Sequence, residues 1–391
     1  MARERFDVII IGAGAMGSAA LWRLARRGLR AVAIEQLTPG HDRGSSHGQT
    51  RIIRKAYFEH PDYVPLLHRA YALWDELDAE TPPARSPVAQ RTRLFERCGL
   101  LLVGRPDGPV IPGVRRAAAA HSLAIDAVSD HDVRREFSAF HVPRGMSALF
   151  EPDAGFLRVE DCVCAMAERG RAHGGVVRAN CRVKAWRASP SRVCVETDSG
   201  ELEAGALVIA AGAWSARLLG ELNVPLEVRR KVQLWMQLAD SRLTLESGAP
   251  VFAFDTPEGF FYGFPAQPLD PHAIKVAEHT GRQTVPDADS LDRALHDSDV
   301  LRVRDFAAAH LAGVGPEVAR HSACMYTMTP DEHFIVDRHP AHANVVVLAG
   351  FSGHGFKFAP LMGEVAADWI CDAVTSAPVG FLSLGRRELR R

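Results

Sequence analysis

Three glycines and one acid give this chain its first legible chemistry. Gly12, Gly14 and Gly17 stand in the run Gly12-Ala13-Gly14-Ala15-Met16-Gly17, and Glu35 follows 21 positions after Gly14. In a G-x-G-x-x-G turn the first glycine makes the tight bend and the second lets backbone approach a pyrophosphate. The third lets helix pack on strand, and Ala15 and Met16 open the helix whose N–H groups face the phosphates. Glu35 is spaced to accept hydrogen bonds from a ribose. The motif names a dinucleotide without choosing among NAD, NADP and FAD.

Further groups are spread along the chain. Gly44-Ser45-Ser46-His47-Gly48-Gln49-Thr50-Arg51-Ile52-Ile53-Arg54 sets two arginines three apart, on one face if the segment is helical, beside isoleucines that argue for partial burial. Buried guanidinium forks call for phosphate or carboxylate; a solvated surface pair is the bland alternative. Gly350-Phe351-Ser352-Gly353-His354-Gly355-Phe356-Lys357 lies between a strand and a helix. Its N–H groups and dipole end suit the negative edge of a reduced flavin, and Lys357 suits a substrate carboxylate. Cys324 reads by default as an inert buried thiol. Lys275, between apolar neighbours in a strand pattern, either points outward or has a use for its charge; Tyr262 and His279 follow the same logic.

The elements that must position these groups are readable. Phe6–Ile11 and Ala31–Ile34 read as buried strands flanking a helix, a βαβ unit. A helix begins near Tyr63 and ends in the proline-rich Thr81–Pro87; helices are also expected over Val114–His121, Asp130–Phe137 and Val159–His173. Val176–Ala188, Ser191–Thr197 and Glu201–Ala211 read as strands with a hairpin turn at Asp198-Ser199-Gly200. The last of these meets Gly212 and Trp214 and resumes the first sheet, as does Asn344–Gly350 before a helix from about Pro360 to Ala373. Val224–His310 alternates like an inserted antiparallel domain. The expected fold is α/β: a discontinuous Rossmann-like FAD-binding domain (1–90, 150–223 and 320–391) with an inserted α+β substrate domain containing an antiparallel sheet (91–149 and 224–319).

Composition bounds the partners. The 391 residues carry 46 basic and 47 acidic side chains, a formal charge of −1, so no bulk field favours nucleic acid or anionic lipid. Apolar runs are too short for a bilayer span. The charged Met1–Arg5 before an apolar run imitates a secretory leader, but such a leader does not require the glycine spacing or Glu35. Seven scattered cysteines without paired C-x-x-C motifs favour free thiols and a cytoplasmic protein.

From about Phe6 to Phe381 the chain resembles the monomeric sarcosine oxidase and N-methyltryptophan oxidase family of FAD-dependent amine oxidases. The resemblance is carried by IGAGAMGSAA, GSSHGQTRIIRKAY, YVPLLHRAYALWDEL, ALFEPDAGFLR, YGFP, CMYTMTPDEHFIVD and AGFSGHGFKFAP. It implies FAD tethered through Cys324, a substrate carboxylate held by Arg54 and Lys357, and Lys275 over the flavin as the oxygen-activating lysine. It implies Tyr262 and His279 beside the bound amino acid, and His47 and Arg51 beside the flavin ring. Thr50 and Val183 are expected to touch FAD, with Ser45, Ser46, Gly212, Trp214, Gly353, His354, Gly355 and Lys357 completing the cofactor set and His354 also reaching substrate. The implied enzyme is a monomer that oxidises a small secondary amino acid such as N-methyl-L-tryptophan or sarcosine with molecular oxygen. It yields amino acid, formaldehyde and hydrogen peroxide. Oxidation of cyclic imino acids such as L-pipecolate, by oxidase or dehydrogenase, and a non-catalytic nicotinamide-binding protein are the competing readings. The loop Ala266–His272 is longer than typical of the family, and Arg229–Trp235 looks more like the N-methyltryptophan branch, so the side-chain preference stays open.

Overall fold

The computed structural model describes residues 4–81 and 93–389; most of the expected Thr81–Pro87 break lies outside them, as does the boundary at 90/91. Strand Arg5–Ile11 shows how the first sheet is built. Val8 and Ile10 enter one apolar core while Phe6, Ile9 and Ile11 enter another, so the strand is apolar on both faces. It pairs in parallel with Ala31–Ile34 on one side and Gly200–Ile209 on the other. His342–Ala349 adds in parallel to Gly200–Ile209, so strands far apart in sequence form one buried layer. Helix Ala15–Arg26 covers it, wedged between helices Val159–Ala172 and Ala359–Cys371. The wedge is tight: a Cβ at Gly363 would lie 2.4 Å from the backbone of Ala19, and one at Gly170 2.7 Å from Leu21.

The second sheet has nine strands among the described residues and is antiparallel apart from the parallel pairing of Val251–Thr256 with Leu100–Gly104. Its spine is Glu227–Leu238, paired antiparallel with Ala273–Glu278 and with the long strand Val314–Met328. Helix Asp297–His310 packs its buried Val303, Phe306 and Ala307 into the core of this sheet.

Two local readings are corrected. The single strand expected over Val176–Ala188 is two, Val176–Arg178 and Val183–Ser189, broken where Asn180 takes φ +53°. The first half pairs with Ala31–Ile34 and the second with Arg192–Thr197. The segment carrying Arg51 and Arg54 is a strand, Thr50–Ile53, paired antiparallel with Gly155–Arg158. Its two β-branched isoleucines favour the pleat. Arg54 stands one residue past the strand end, and both arginines reach the same small chamber.

Candidate active site

A cavity of about 470 Å³ opens at the end of the first sheet. Gly12 bends at φ +96°, and a Cβ there would sit 2.5 Å from Ala210 O. A Cβ at Gly17 would sit 1.8 Å from Gly12 O, so these two glycines are demanded by the protein's own backbone. Gly14 differs: a Cβ there meets only Ser46 Oγ at 3.7 Å, and its free side looks into the cavity. Ala13 N–H donates to Glu35 Oε2 at 2.9 Å and Leu37 N–H to Oε1 at 3.0 Å. Burial pushes the Glu35 carboxyl up, but His41 and these two amides outweigh it and hold it below its ordinary value, ionised. Ala15, Met16, Ser45, Ser46, Val183, Gly212, Trp214, Gly353 and Gly355 also line this space.

A smaller chamber of about 70 Å³ continues from it, sharing Arg51, Tyr326, Gly353 and Phe356 as common wall. One side of the chamber is cationic. Arg54 donates from one nitrogen to both oxygens of Glu59 at 2.7 Å and from the other to Ala56 O at 2.8 Å. Lys357 Nζ donates to His354 O at 2.7 Å and lies 3.4 Å from Tyr57 Oη. Burial, reinforced by the Arg54 charge, drops Lys357 to about 7. His354 Nδ1 meets Tyr57 Oη at 2.5 Å, and burial drops this imidazole to about 4. At the other side, His279 Nδ1 lies 3.3 Å from Tyr326 Oη, which lies 3.5 Å from Tyr262 Oη. Burial drops His279 to about 3 and raises both phenols, so this side is neutral at pH 7.

Behind the shared wall runs a hydrogen-bonded chain. Lys275 Nζ donates to Gly48 O at 2.7 Å and to Thr50 O at 2.6 Å. Thr50 O also accepts from Arg51 at 2.9 Å, and the other end of that guanidinium reaches Ser45 O at 2.9 Å and Cys324 Sγ at 3.5 Å. Lys275 is buried, and desolvation followed by the nearby Arg51 charge holds it well below its ordinary value. Its chain points inward, as the family resemblance required.

A family model described as FAD dependent oxidoreductase matches residues 7–369. The chain belongs to that family. Monomeric sarcosine oxidase of Bacillus sp. (strain B-0618) is 36% identical over 98% of this chain and 97% of its own. N-methyl-L-tryptophan oxidase of Yersinia pestis (strain Pestoides F) is 37% identical over 97% of this chain and 99% of its own. Among solved structures, NikD, an unusual amino acid oxidase essential for nikkomycin biosynthesis, superposes with a TM-score of 0.84 at 24% identity, covering 97% of each chain. At that identity the likeness speaks for the fold.

This FAD-dependent oxidoreductase has the donor set its cofactor needs. Gly14 leaves backbone open to a diphosphate, Glu35 is charged for ribose hydroxyls, and Thr327 Oγ1, on the cavity wall, is buried without a hydrogen-bond partner. The structure gathers most of the expected residues onto the two cavities. Lys275, Thr50, His47, Gly17 and Cys324 line neither. Gly17 is a packing glycine, and Lys275, Thr50 and Cys324 belong to the chain behind Arg51. His47 is buried, with Nδ1 3.1 Å from Ser322 Oγ and Nε2 unpartnered; burial and the Arg51 charge drop it to about 3.

Four contributors escaped sequence reasoning. Glu59 neutralises Arg54, Tyr57 bridges His354 and Lys357, and Tyr326 lines both cavities. Glu160 accepts from Gly48 and Gln49 N–H at 2.7 and 3.0 Å, fixing the strap on which Lys275 rests. Tyr326 stands two residues after Cys324 in a strand and so shares its face, which was a usable signal.

Proposed function

We propose that this enzyme is an oxidase of secondary, N-methylated amino acids, performing oxidative demethylation to the amino acid, formaldehyde and hydrogen peroxide. The observation that carries the reading is the small chamber with Arg54 and Lys357 at one side and a wall shared with the dinucleotide cavity. The curated relatives, named for sarcosine and N-methyl-L-tryptophan oxidation, support the same chemistry.

FAD, when bound, supplies the two-electron acceptor for the amine and the donor to oxygen. Arg54 and Lys357 orient the substrate through its carboxylate, and that orientation lowers the entropic part of the barrier. Arg54 is already balanced by Glu59, so the excess positive charge a substrate carboxylate meets is that of Lys357, present below about pH 7 and lost above it until the bound anion raises its value. His279, Tyr262 and Tyr326 are neutral, which favours an uncharged amine nitrogen over an ammonium in their company. Lys275, held in place by Gly48 O and Thr50 O behind the Arg51 wall, is the cationic group proposed to assist reduction of oxygen. Cys324 is the proposed covalent tether, its sulfur 3.5 Å from the Arg51 guanidinium.

Oxygen uptake and formaldehyde release with sarcosine and N-methyl-L-tryptophan test the reading. Consumption of oxygen without formaldehyde would assign the enzyme to another amine class. Cys324→Ser should leave FAD soluble after acid precipitation while the native protein keeps it in the pellet; flavin released from both removes the tether.

A further inference from the structure

The side of the small chamber away from Lys357 is apolar. It is formed by Phe58, Leu100, Leu102, Ala253 and Phe260, with Tyr262 at its edge. Leu100 and Leu102 alternate onto one face of their strand, and Ala253 faces Leu102 on the neighbouring strand. Phe58 closes this side. Its backbone is pressed on helix Val110–His121, where a Cβ at Gly113 would lie 2.8 Å from both Phe58 Cβ and its carbonyl oxygen. Its ring lies 5.8 Å from Phe260 and carries the Arg54 guanidinium at 4.4 Å, with Tyr57 at 4.3 Å as the second aromatic neighbour of that guanidinium.

We infer that Phe58 is a specificity-determining residue: it closes an apolar subsite that takes a compact hydrocarbon substituent on the substrate's α-carbon and excludes a bulky one. This rests on the proposed reading only in that the same chamber receives the substrate carboxylate. A charged or polar substituent would be desolvated against these hydrocarbon and aromatic side chains, the nearest cation, Arg54, being already paired with Glu59. The chamber, about 70 Å³, is much the smaller of the two cavities, and the Phe58 and Phe260 rings bound its apolar side. With Phe58 in place an indole has to compete with that ring for space. Removing the ring enlarges the space next to Phe260 without touching Lys357.

Phe58 also braces Arg54, so Phe58→Ala weakens every carboxylate ligand. Ratios between ligands cancel that shared loss and report the subsite alone. The holoenzyme and its Phe58→Ala variant are titrated calorimetrically with propanoate and with indole-3-propanoate, neither of which carries an amine. The native protein should bind the small acid more tightly. The variant should shift the ratio at least about tenfold toward the indole acid, the scale of a hydrophobic pocket gaining or losing a group. Ala253→Val, which narrows the subsite from the opposite strand, should move the ratio the other way. The same ratios, read as kcat/KM for N-methyl-L-tryptophan against N-methyl-L-alanine, should follow. A ratio unchanged within about twofold in Phe58→Ala, or no binding of either acid to the native enzyme, overturns the inference. Normal binding ratios with no turnover of any N-methyl amino acid would sink the proposed reaction instead and leave the subsite standing.

Discussion

The two connected cavities are built on opposite principles. The larger is framed by backbone: glycines at turns, the opening of a helix, and one carboxylate already satisfied by two amides. The smaller is framed mostly by side chains from six separate stretches, Arg51–Glu59, Leu100–Leu102, Ala253–Tyr262, His279, Tyr326 and Gly353–Lys357. Backbone frames reject a Cβ wherever they pack on themselves, as at Gly12 and Gly17, but need no charge balance. Side-chain frames tolerate reshaping, yet every ionised member leans on another.

The contrast is broken or sharpened in order of size. Gly17→Ala drives a Cβ into Gly12 O and should cost about 1–3 kcal/mol or more in overpacking, preventing folding or FAD uptake. Gly14→Ala has space, so it should fold with near-native thermal stability and lose FAD affinity. Equal melting temperatures for both variants would dissolve the distinction. Next, Lys275→Met should slow reoxidation of the reduced enzyme by oxygen about 10²–10³-fold, the scale of losing one preorganised donor, with little change in anaerobic reduction. Equal losses in the two half-reactions, measured by stopped flow, would remove Lys275 from that role.

Third is the pH response of the small chamber. Lys357 has a depressed value of about 7, so it is charged below that pH and neutral above it. Binding of a simple carboxylate should therefore weaken as pH rises through 7, approaching about tenfold per unit, and Lys357→Met should flatten the profile. The bound anion itself raises the Lys357 value, so the break in complex lies higher. The fourth test concerns acid stability. His47, His279 and His354 are depressed to between about 3 and about 4, so the unfolded chain takes up their protons first as pH falls. Stability should be full above their unfolded values near pH 6.5 and decline below, by up to about 1.4 kcal/mol per unit for each histidine. Denaturant melts at pH 7 and 5 read this, and His47→Gln should reduce the slope.

Legibility in the sequence followed the same divide. Gly12, Gly14, Gly17 and Glu35 lie within one supersecondary unit, so local spacing encoded their geometry. Arg54 and Lys357 were each suspected as anion holders from local sequence but were paired only through likeness to a family, because nothing in a spacing of 303 residues brings them together. Glu59 and Glu160 left no signal: an acid five positions after an arginine in an irregular segment, and another in a helical first turn, look solvated. The helical reading of Arg51 and Arg54 lost to pairing with Gly155–Arg158, a tertiary contact that local pattern does not contain. The break at Asn180 was hidden because both flanking segments are β-formers.

Strand Val314–Met328 runs in regular register with Glu227–Leu238 from Met328 to Arg320, and its irregularities fall beyond, opposite Trp235 to Leu238. Cys324 and Tyr326 face one way, Met325 and Thr327 the other. This ribbon therefore acts as a reading frame. Inserting or deleting one residue between Arg320 and Met328 would exchange the sulfur and phenol for a thioether and a hydroxyl in a single stroke. Across descendants of this chain, length changes should accumulate near Val314 and be purged from the last nine residues of the strand.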